Sequence, residues 1–418
     1  MRPYTSAIQA VVDFHSMMAS FLAHIQTFGI LTSMANNRSD LERIVHPILQ
    51  AFLLLALLAS SLMPVVAQTN DSPGADWQPL PNREEASFSS SRLHALTDLL
   101  KTEHTTAMLV AVHGKVLFQY GDIAHVSEIA SVRKSVLSML YGNYVQSGKI
   151  DLQKTVKEIG LQDVKPFLPI EEGAKLEQLL AGRSGIYIVP DKPDPQSADS
   201  FQLPPRGSQL PGNFFTYNEW DFNAAGTAFE KLTGKNIYDA LESDLARPIG
   251  MQDFDRSRQK KISNMPYSVH ERYPIYLSTR DMARLGQLML RHGNWNGKQV
   301  VPDDWVRYST FLTTPFQDIY PTGLRNYEYP ARWGFGMMWF VWDEPGYLNH
   351  GWTGPMGTAF TAMGSGGQYI TVLPELDMVI AHKVDWDQSK GAVSPLQWNA
   401  ILNLVIASSC EDNCPPAE

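Results

Sequence analysis

The spacing of apolar and polar positions predicts helices along the middle of the chain. Apolar residues recur every three or four positions from Ser131 to about Ser147, and Gly148 is a natural helix stop. Further segments have the same helical periodicity, and they lie at 91–100, 173–185, 218–234, 236–250, 278–293 and 395–408.

Short runs rich in β-branched and aromatic residues predict strands near both ends of the chain. Two strands surround His113-Gly114 within 107–122. Further strands are predicted at 333–342, 357–364, 368–374 and 377–383. Strands at both ends with helices between them favour one sheet that is assembled from the two terminal regions, with a mostly helical region inserted.

The N-terminal 67 residues predict a leader that is removed on export. Residues 48–67 form an apolar run of signal-peptide length that ends in the small-residue pattern Val65-Val66-Ala67. We expect cleavage after Ala67, a periplasmic or secreted product and no stable membrane anchor afterwards. The alternative is a transmembrane anchor. Gln50 and Pro64 leave only about a dozen uninterrupted apolar or small residues, however, and a spanning helix needs roughly 20.

Met34 is a second plausible start, which would place the signal peptide at 34–67 within the leader 1–67.

The rest of the chain predicts one globular domain. Residues rich in Pro, Ser, Asn and Asp predict a linker at 68–90. The predicted domain is 91–408, with sheet regions at 91–130 and 330–408, a helical region at 131–329 and a tail at 409–418.

Composition excludes several classes of function. The net charge of -9 is spread along the chain without a run of five like charges, so neither a nucleic-acid footprint nor a polybasic membrane patch is present. The only cysteines are Cys410 and Cys414, which could close a small disulfide in the tail. No histidine lies near them, and we expect neither a metal nor an organic cofactor.

Ser131 and Lys134 are the candidate reactive pair. At i and i+3 on a helix their side chains share a face, and a buried lysine loses its proton more readily, so it can accept the serine proton. The alternative is an N-capping serine beside an exposed lysine. The chain holds one other Ser-x-x-Lys, at Ser257 and Lys260, in a polar and basic run.

Three ordered motifs give this pair its context. They are "ASVRKSVLSML" at 130–140, "FFTYNEWDFNAAGTAFEKLTG" at 214–234 and "AFTAMGSGGQYITVLPELDMVIAHK" at 359–383. With "RSGIY" from Arg183 and the segment 278–306, the chain resembles the serine β-lactamase and penicillin-binding-protein superfamily. Within it, the chain is similar to class C-like serine hydrolases, which include esterases, D-aminopeptidases and 6-aminohexanoate-dimer hydrolases. The resemblance spans about residues 85–408.

The resemblance implies a β-lactamase/transpeptidase-like α/β (α+β) fold with an antiparallel sheet, and it implies roles for named residues. Ser131 would be the acylated nucleophile, Lys134 its general base and Tyr217 the proton-sharing tyrosine. The strand motif would fall on Ala362-Met363-Gly364, and the backbone N–H groups of Ser131 and Ser365 would form the oxyanion hole. The substrate would be a small-molecule or peptide-like compound.

Two positions depart from the family pattern. The Tyr-x-Asn motif has Glu219 in third place, and an asparagine, Asn218, one place early. A carboxylate near Lys134 would favour its ammonium form and oppose its role as base, unless Glu219 points elsewhere. The strand motif has also lost its cation, which normally binds a β-lactam carboxylate. A rival strand motif, "NHGWTG" with His350, lies too far from "VLP".

These observations predict an exported serine hydrolase that acts on a small ester, amide or peptide-like bond. One alternative is a β-lactamase or D-alanyl-D-alanine carboxypeptidase. Another is a non-catalytic protein that binds cell-wall peptides with the same fold, which Glu219 favours. Aromatic residues expected near the cleft indicate either an apolar acyl group or ordinary core packing. They are Phe214, Phe215, Trp220, Trp333, Trp339, Trp342 and Trp352.

Overall fold

The computed structural model describes residues 72–81, 88–191, 203–320, 332–343, 358–389 and 391–409. The predicted leader, His350 with its "NHGWTG" segment, Trp352 and the Cys410/Cys414 pair lie outside the described residues. The signal peptide, its cleavage site and the tail disulfide therefore stay predictions.

In the described chain, strands cluster toward both ends and helices predominate between them. The helices are α1 Ser90–Thr102, α2 Val132–Gln146, α3 Val156–Ile159, α4 Leu176–Leu180, α5 Glu219–Thr233, α6 Ile237–Ala240, α7 Thr279–Leu290, α8 Asp303–Ser309 and α9 Pro395–Ser408. The strands are β1 Ala107–Val112, β2 Lys115–Gly121, β3 Ser127–Glu128, β4 Tyr276–Leu277, β5 Asn294–Trp295, β6 Lys298–Gln299, β7 Trp333–Phe335, β8 Phe340–Trp342, β9 Phe360–Gly364, β10 Gln368–Leu373 and β11 Met378–Lys383.

The main sheet joins the two ends of the domain, as the sequence predicts. In the described residues it has seven strands in the order β2-β1-β11-β10-β9-β8-β7, and neighbouring strands are antiparallel. The N-terminal hairpin meets the C-terminal strands where Ala107 pairs with Lys383 and Val112 with Met378. The predicted antiparallel α+β fold is confirmed.

Helices cover both faces of this sheet. Along β1, Leu109 and Ala111 belong to the core beneath α2 and α7, whereas Val110 belongs to the core beneath α1 and α9. All six residues of β1 are buried. Because successive strand residues point to opposite faces, a strand covered on both faces reads as a continuous apolar run.

Two predicted elements differ from the structure. The helix predicted at 236–250 is the short α6 followed by a π-helical turn, Leu241–Ala246. The strand run at 333–342 is the hairpin of β7 and β8, and its turn includes Met338 at a φ of 63°. Apolar spacing indicates burial, but it does not show where a backbone reverses or widens.

Part of the predicted linker packs onto the domain. Leu80 donates its amide to the Val116 carbonyl at 2.8 Å, and Val116 donates to the Gln78 carbonyl at 2.8 Å. The Arg284 guanidinium binds the carbonyls of Gly74 and Ala75 at 2.8 and 2.7 Å. This segment covers the outer edge of β2, which would otherwise present unpaired backbone groups.

No helix in the described part of the chain combines the length and the apolar character that crossing a membrane requires.

One histidine is buried in the sheet in its neutral form. His382 of β11 has an exposed fraction of 0%, with Nδ1 2.7 Å from the Gly367 carbonyl and Nε2 2.8 Å from Thr105 Oγ1. A carbonyl oxygen only accepts, so Nδ1 carries the proton and Nε2 accepts from the threonine hydroxyl. Burial lowers the pKa of His382 to about 4, and the hydrogen bond to Gly367 opposes this only in part.

We expect acid to destabilise the fold through this histidine. Between pH 6.5 and 4 the unfolded chain binds a proton that the folded chain refuses, so the free energy of unfolding falls as the pH falls through that window. The full effect is roughly 3 kcal/mol. His382→Asn keeps a donor to Gly367 and should flatten the dependence, measured by urea unfolding at several pH values. Exposed His94→Asn is the control, and an unchanged slope in His382→Asn would contradict the assignment.

Candidate active site

Ser131 stands at the junction of a strained turn and a buried helix. The preceding Ala130 has a φ of 46°, a left-handed conformation that is costly for a residue with a Cβ. Ser131 is the N-cap residue of α2, but its side chain makes no capping hydrogen bond. The N-capping alternative is therefore not what the structure contains, and the hydroxyl is available to Lys134.

Lys134 brings the predicted residues together. Its ammonium donates to Ser131 Oγ at 2.8 Å and to Tyr217 OH at 2.8 Å, and it also contacts Glu219 Oε1. The lysine side chain is 2% exposed. Three acceptors that converge on one buried nitrogen match the three donors of an ammonium group.

Glu219 points at Lys134 rather than away from it. One carboxylate oxygen contacts the lysine, and the other accepts from Arg133 Nη2 at 2.8 Å. Burial acts to raise the pKa of Glu219, but the charges of Lys134 and Arg133 outweigh it, so the pKa lies below its usual value. The carboxylate stays ionised and divides its charge between two cations.

Arg133 is a member of the site that sequence reasoning missed. It is 3% exposed, donates to Asn223 at 3.0 Å and lies over the Tyr273 ring at 4.2 Å from the centroid. The sequence signal that could have identified it is its place in a helix whose first eleven residues are all buried. A buried arginine needs a charged or polar partner. The partners of Arg133 are Glu219 and Asn223, which lie one helical turn apart on α5.

The Asn218 side chain caps α5 and does not contact Lys134 in the hydrogen bonds of the site. Its side-chain oxygen accepts from the amide of Trp220 at 3.2 Å and so caps α5. Its amide group donates to the Ile186 carbonyl at 2.8 Å and to Asp221 at 3.1 Å. With an exposed fraction of 1%, this side chain fixes the start of the helix that carries Glu219.

Gly364 presses the strand motif against the nucleophile turn. A Cβ at this position would lie 2.7 Å from the Ile129 carbonyl oxygen and 3.1 Å from the Ser131 nitrogen. Contacts this short leave no room for a side chain. Ser365, the next residue, is exposed where β9 turns into β10. The strand end predicted to supply the second oxyanion donor therefore adjoins Ser131.

Most of the predicted cleft aromatics are core residues. Phe335 and Phe340 lie 6.0 and 5.9 Å from the Tyr217 ring, centroid to centroid, and help to fix its orientation. Phe214 and Trp342 are partly exposed. Those that are buried are Phe215, Trp220, Trp333 and Trp339.

Within the described residues, no group of three His, Cys, Asp or Glu side chains is arranged to hold a metal ion.

A family model described as Beta-lactamase matches residues 97–394 of this sequence. The chain belongs to the Beta-lactamase family. This membership agrees with the Ser131, Lys134 and Tyr217 arrangement and supports a serine hydrolase of the β-lactamase and penicillin-binding-protein superfamily.

Individual Beta-lactamase relatives are distant in sequence. The curated 6-aminohexanoate-dimer hydrolase of Paenarthrobacter ureafaciens is 22% identical over 364 residues, which cover 78% of this chain and 83% of that protein. A candidate 6-aminohexanoate-dimer hydrolase structure from Bacillus anthracis has a TM-score of 0.57 at 20% identity, covering 80% of this chain and 87% of its own. A penicillin-binding-protein homologue from Caulobacter crescentus has a TM-score of 0.54 at 15% identity, covering 77% and 98%. The two structures share the fold.

Gly364→Ala should disable the site of this Beta-lactamase family member while the domain still folds. The added methyl group must displace the Ile129 carbonyl and the Ser131 amide, and small displacements of reacting groups cost at least about tenfold in rate. The measurement is the rate at which a fluorophosphonate probe labels the protein. Gly173→Ala, whose Cβ would meet no atom within 4 Å, is the matched control. Equal labelling rates in the two variants would contradict the close packing.

Proposed function

We propose that the protein is an exported serine hydrolase that forms an acyl-enzyme at Ser131 and hydrolyses a small ester, amide or peptide-like bond. One observation carries the proposal. The buried Lys134 nitrogen lies 2.8 Å from both the Ser131 hydroxyl and the Tyr217 hydroxyl. These distances allow a proton to pass between the three groups without any large movement.

Acylation begins when neutral Lys134 accepts the Ser131 proton. The serine oxygen then bonds to the substrate carbonyl carbon, and the C–O double bond opens to an oxyanion. The backbone N–H groups of Ser131 and Ser365 are the proposed donors to that oxyanion. When the oxyanion collapses, the bond to the leaving group breaks, and the leaving group takes the proton through Tyr217.

Deacylation repeats these steps with water. The Lys134 and Tyr217 pair removes a proton from a water molecule, whose oxygen attacks the acyl carbon. The Ser131 oxygen leaves as a hydroxyl after it regains a proton, and the acyl group departs as a carboxylic acid. The same proton path therefore serves both halves of the reaction.

The Glu219 contact sets the resting state of the site. A carboxylate beside Lys134 stabilises the ammonium, which must lose a proton before it can act as a base. Arg133 reduces this effect because it binds the other oxygen of the same carboxylate at 2.8 Å. The two cations and one carboxylate carry a net charge of about +1, which favours release of a proton.

The strand motif argues against anionic substrates of the β-lactam kind. Ala362 is buried and Met363 is uncharged, so neither supplies the cation that would bind a substrate carboxylate. The curated relative from Paenarthrobacter ureafaciens is named 6-aminohexanoate-dimer hydrolase. We therefore favour a small-molecule or peptide-like substrate that carries no carboxylate beside the scissile bond on its leaving-group side. β-Lactamase or D-alanyl-D-alanine carboxypeptidase activity is the alternative within this chemistry.

A non-catalytic binding protein is the second candidate, and the Glu219 contact with Lys134 is the observation that favours it. If the ammonium never loses its proton, the cleft can hold a peptide-like ligand without turnover. Labelling of Ser131 separates the two candidates.

A fluorophosphonate should add once to residues 68–418, at Ser131. We expect Ser131→Ala to remove the adduct with folding intact, because the Ser131 hydroxyl accepts a hydrogen bond from the buried Lys134. Ser257→Ala is the matched control, since that serine belongs to the other Ser-x-x-Lys sequence and donates to Asp255 instead, at 2.7 Å. Intact-mass measurement reads out both variants. A folded protein with no adduct would favour the binding protein.

Glu219→Gln should move the acid limb of the labelling rate to lower pH, by about one unit. The substitution removes the negative charge that stabilises the Lys134 ammonium, whereas the glutamine oxygen can still accept from Arg133. The rate is measured between pH 5 and 9. Glu172→Gln, which removes an exposed partner of Lys157, is the control. An acid limb that stays in place would show that Glu219 does not control the protonation of Lys134.

A further inference from the structure

A second buried lysine, Lys383 at the end of β11, lies outside the proposed catalytic group. It is 2% exposed, and its ammonium donates to the Ser127 carbonyl at 3.2 Å and to the Leu277 carbonyl at 2.5 Å. Ser127 and Leu277 pair with each other across the two-stranded ribbon of β3 and β4. One side chain of the main sheet therefore holds both strands of this ribbon.

The ribbon leads directly into the turn that presents Ser131. Ile129 follows β3 and donates its amide to the Ile275 carbonyl at 3.0 Å. The next residue, Ala130, has the left-handed φ of 46°. A strained backbone of this kind persists only where its surroundings fix it. The ribbon fixes the turn on one side, and α2 fixes it on the other, where the Arg133 amide donates to the Ala130 carbonyl at 3.2 Å.

We propose that Lys383 is a positioning residue for the reaction at Ser131. Its ammonium ties the β3–β4 ribbon to the main sheet and thereby sets the position of the nucleophile turn. This inference rests on the proposed function of Ser131 as the nucleophile.

Charged groups from three elements face Lys383. Asp385 follows β11, Asp281 lies on α7, and His125 and Asp122 come from the loop before β3. His125 Nε2 lies 2.7 Å from Asp385 Oδ2. Burial lowers the pKa of Lys383 to about 7, although Asp385 and Asp281 oppose the shift. The lysine therefore changes charge as the pH rises through about 7.

Loss of that proton weakens the hold on the ribbon. Hydrogen bonds from an ionised donor are roughly twice as strong as neutral ones. Ser127 and Thr279 line a small pocket together with Lys383. Neither of their hydroxyls has a hydrogen-bond partner in the described structure. A neutral amine has a lone pair that one of these hydroxyls can donate to. Deprotonation therefore leaves Lys383 with two weaker donors for its two carbonyl partners and adds a lone pair that can compete for a hydroxyl.

Lys383→Met tests the inference because it keeps the length of the side chain and removes every donor. We expect fluorophosphonate labelling of Ser131 at pH 6 to be at least about tenfold slower, as for other small displacements of reacting atoms. The variant should also lose the component of the pH profile near pH 7. Lys149→Met is the control, since this exposed lysine also donates to a carbonyl, that of Thr233 at 2.7 Å, but lies beyond the end of α2 that is remote from Ser131. The control should keep the wild-type rate and profile.

Hydrogen exchange on the wild-type protein gives a second test, which needs no variant. After correction for intrinsic rates, peptides covering 125–131 should exchange severalfold faster at pH 8.5 than at pH 6. Equal protection at both pH values would overturn the inference, and so would Lys383→Met labelling at the wild-type rate with an unchanged profile. If Ser131 is labelled in no form of the folded protein, the proposed function fails. The exchange measurement then still decides whether Lys383 holds the ribbon.

Discussion

The charge of a buried lysine is the constraint on which the candidate site depends. Lys134 is almost fully inside the protein, and an isolated charge there would cost several kcal/mol. Glu219 offsets that cost, but the carboxylate must itself be held in place. Arg133 binds its other oxygen, and Arg133 is fixed in turn by Asn223 and by the Tyr273 ring. The charge of Lys134 thus accounts for the contacts of side chains on α2, on α5 and in the segment before β4.

Backbone packing adds a second constraint to the same position. The nucleophile turn belongs to the N-terminal half of the domain, whereas Gly364 belongs to a strand near the C-terminus. The main sheet joins these halves because β1 pairs with β11 and not with its neighbours in the inserted region. The strand that carries Gly364, β9, is joined to β1 through β10 and β11. The geometry of the site is therefore a property of the whole sheet.

The sequence predicts the frame of the protein better than its charge network. Helix periodicity located α2 and α5, and alternating or continuous apolar runs located the main strands, because burial leaves a period in the sequence. The close approach of Ser131, Lys134 and Tyr217 was predictable from their motifs together with the family resemblance. The direction in which Glu219 points was not, since a carboxylate at the start of a helix can face solvent or the interior. Arg133 and Lys383 escaped notice because no periodicity names the partner of a buried cation.

The same charge network favours catalysis over simple binding. A buried ion pair is expensive, and apolar residues of similar size often stabilise a protein equally well or better. A protein that only held a ligand could therefore pack a methionine at position 134 and a leucine at 133. This site instead buries two cations around one carboxylate, beside a serine hydroxyl that caps no helix and a backbone at a strained φ. Local costs that accumulate at one position are expected where chemistry needs them. Proton transfer from Ser131 to Lys134 would explain why these costly features occur together, and ligand binding alone would not.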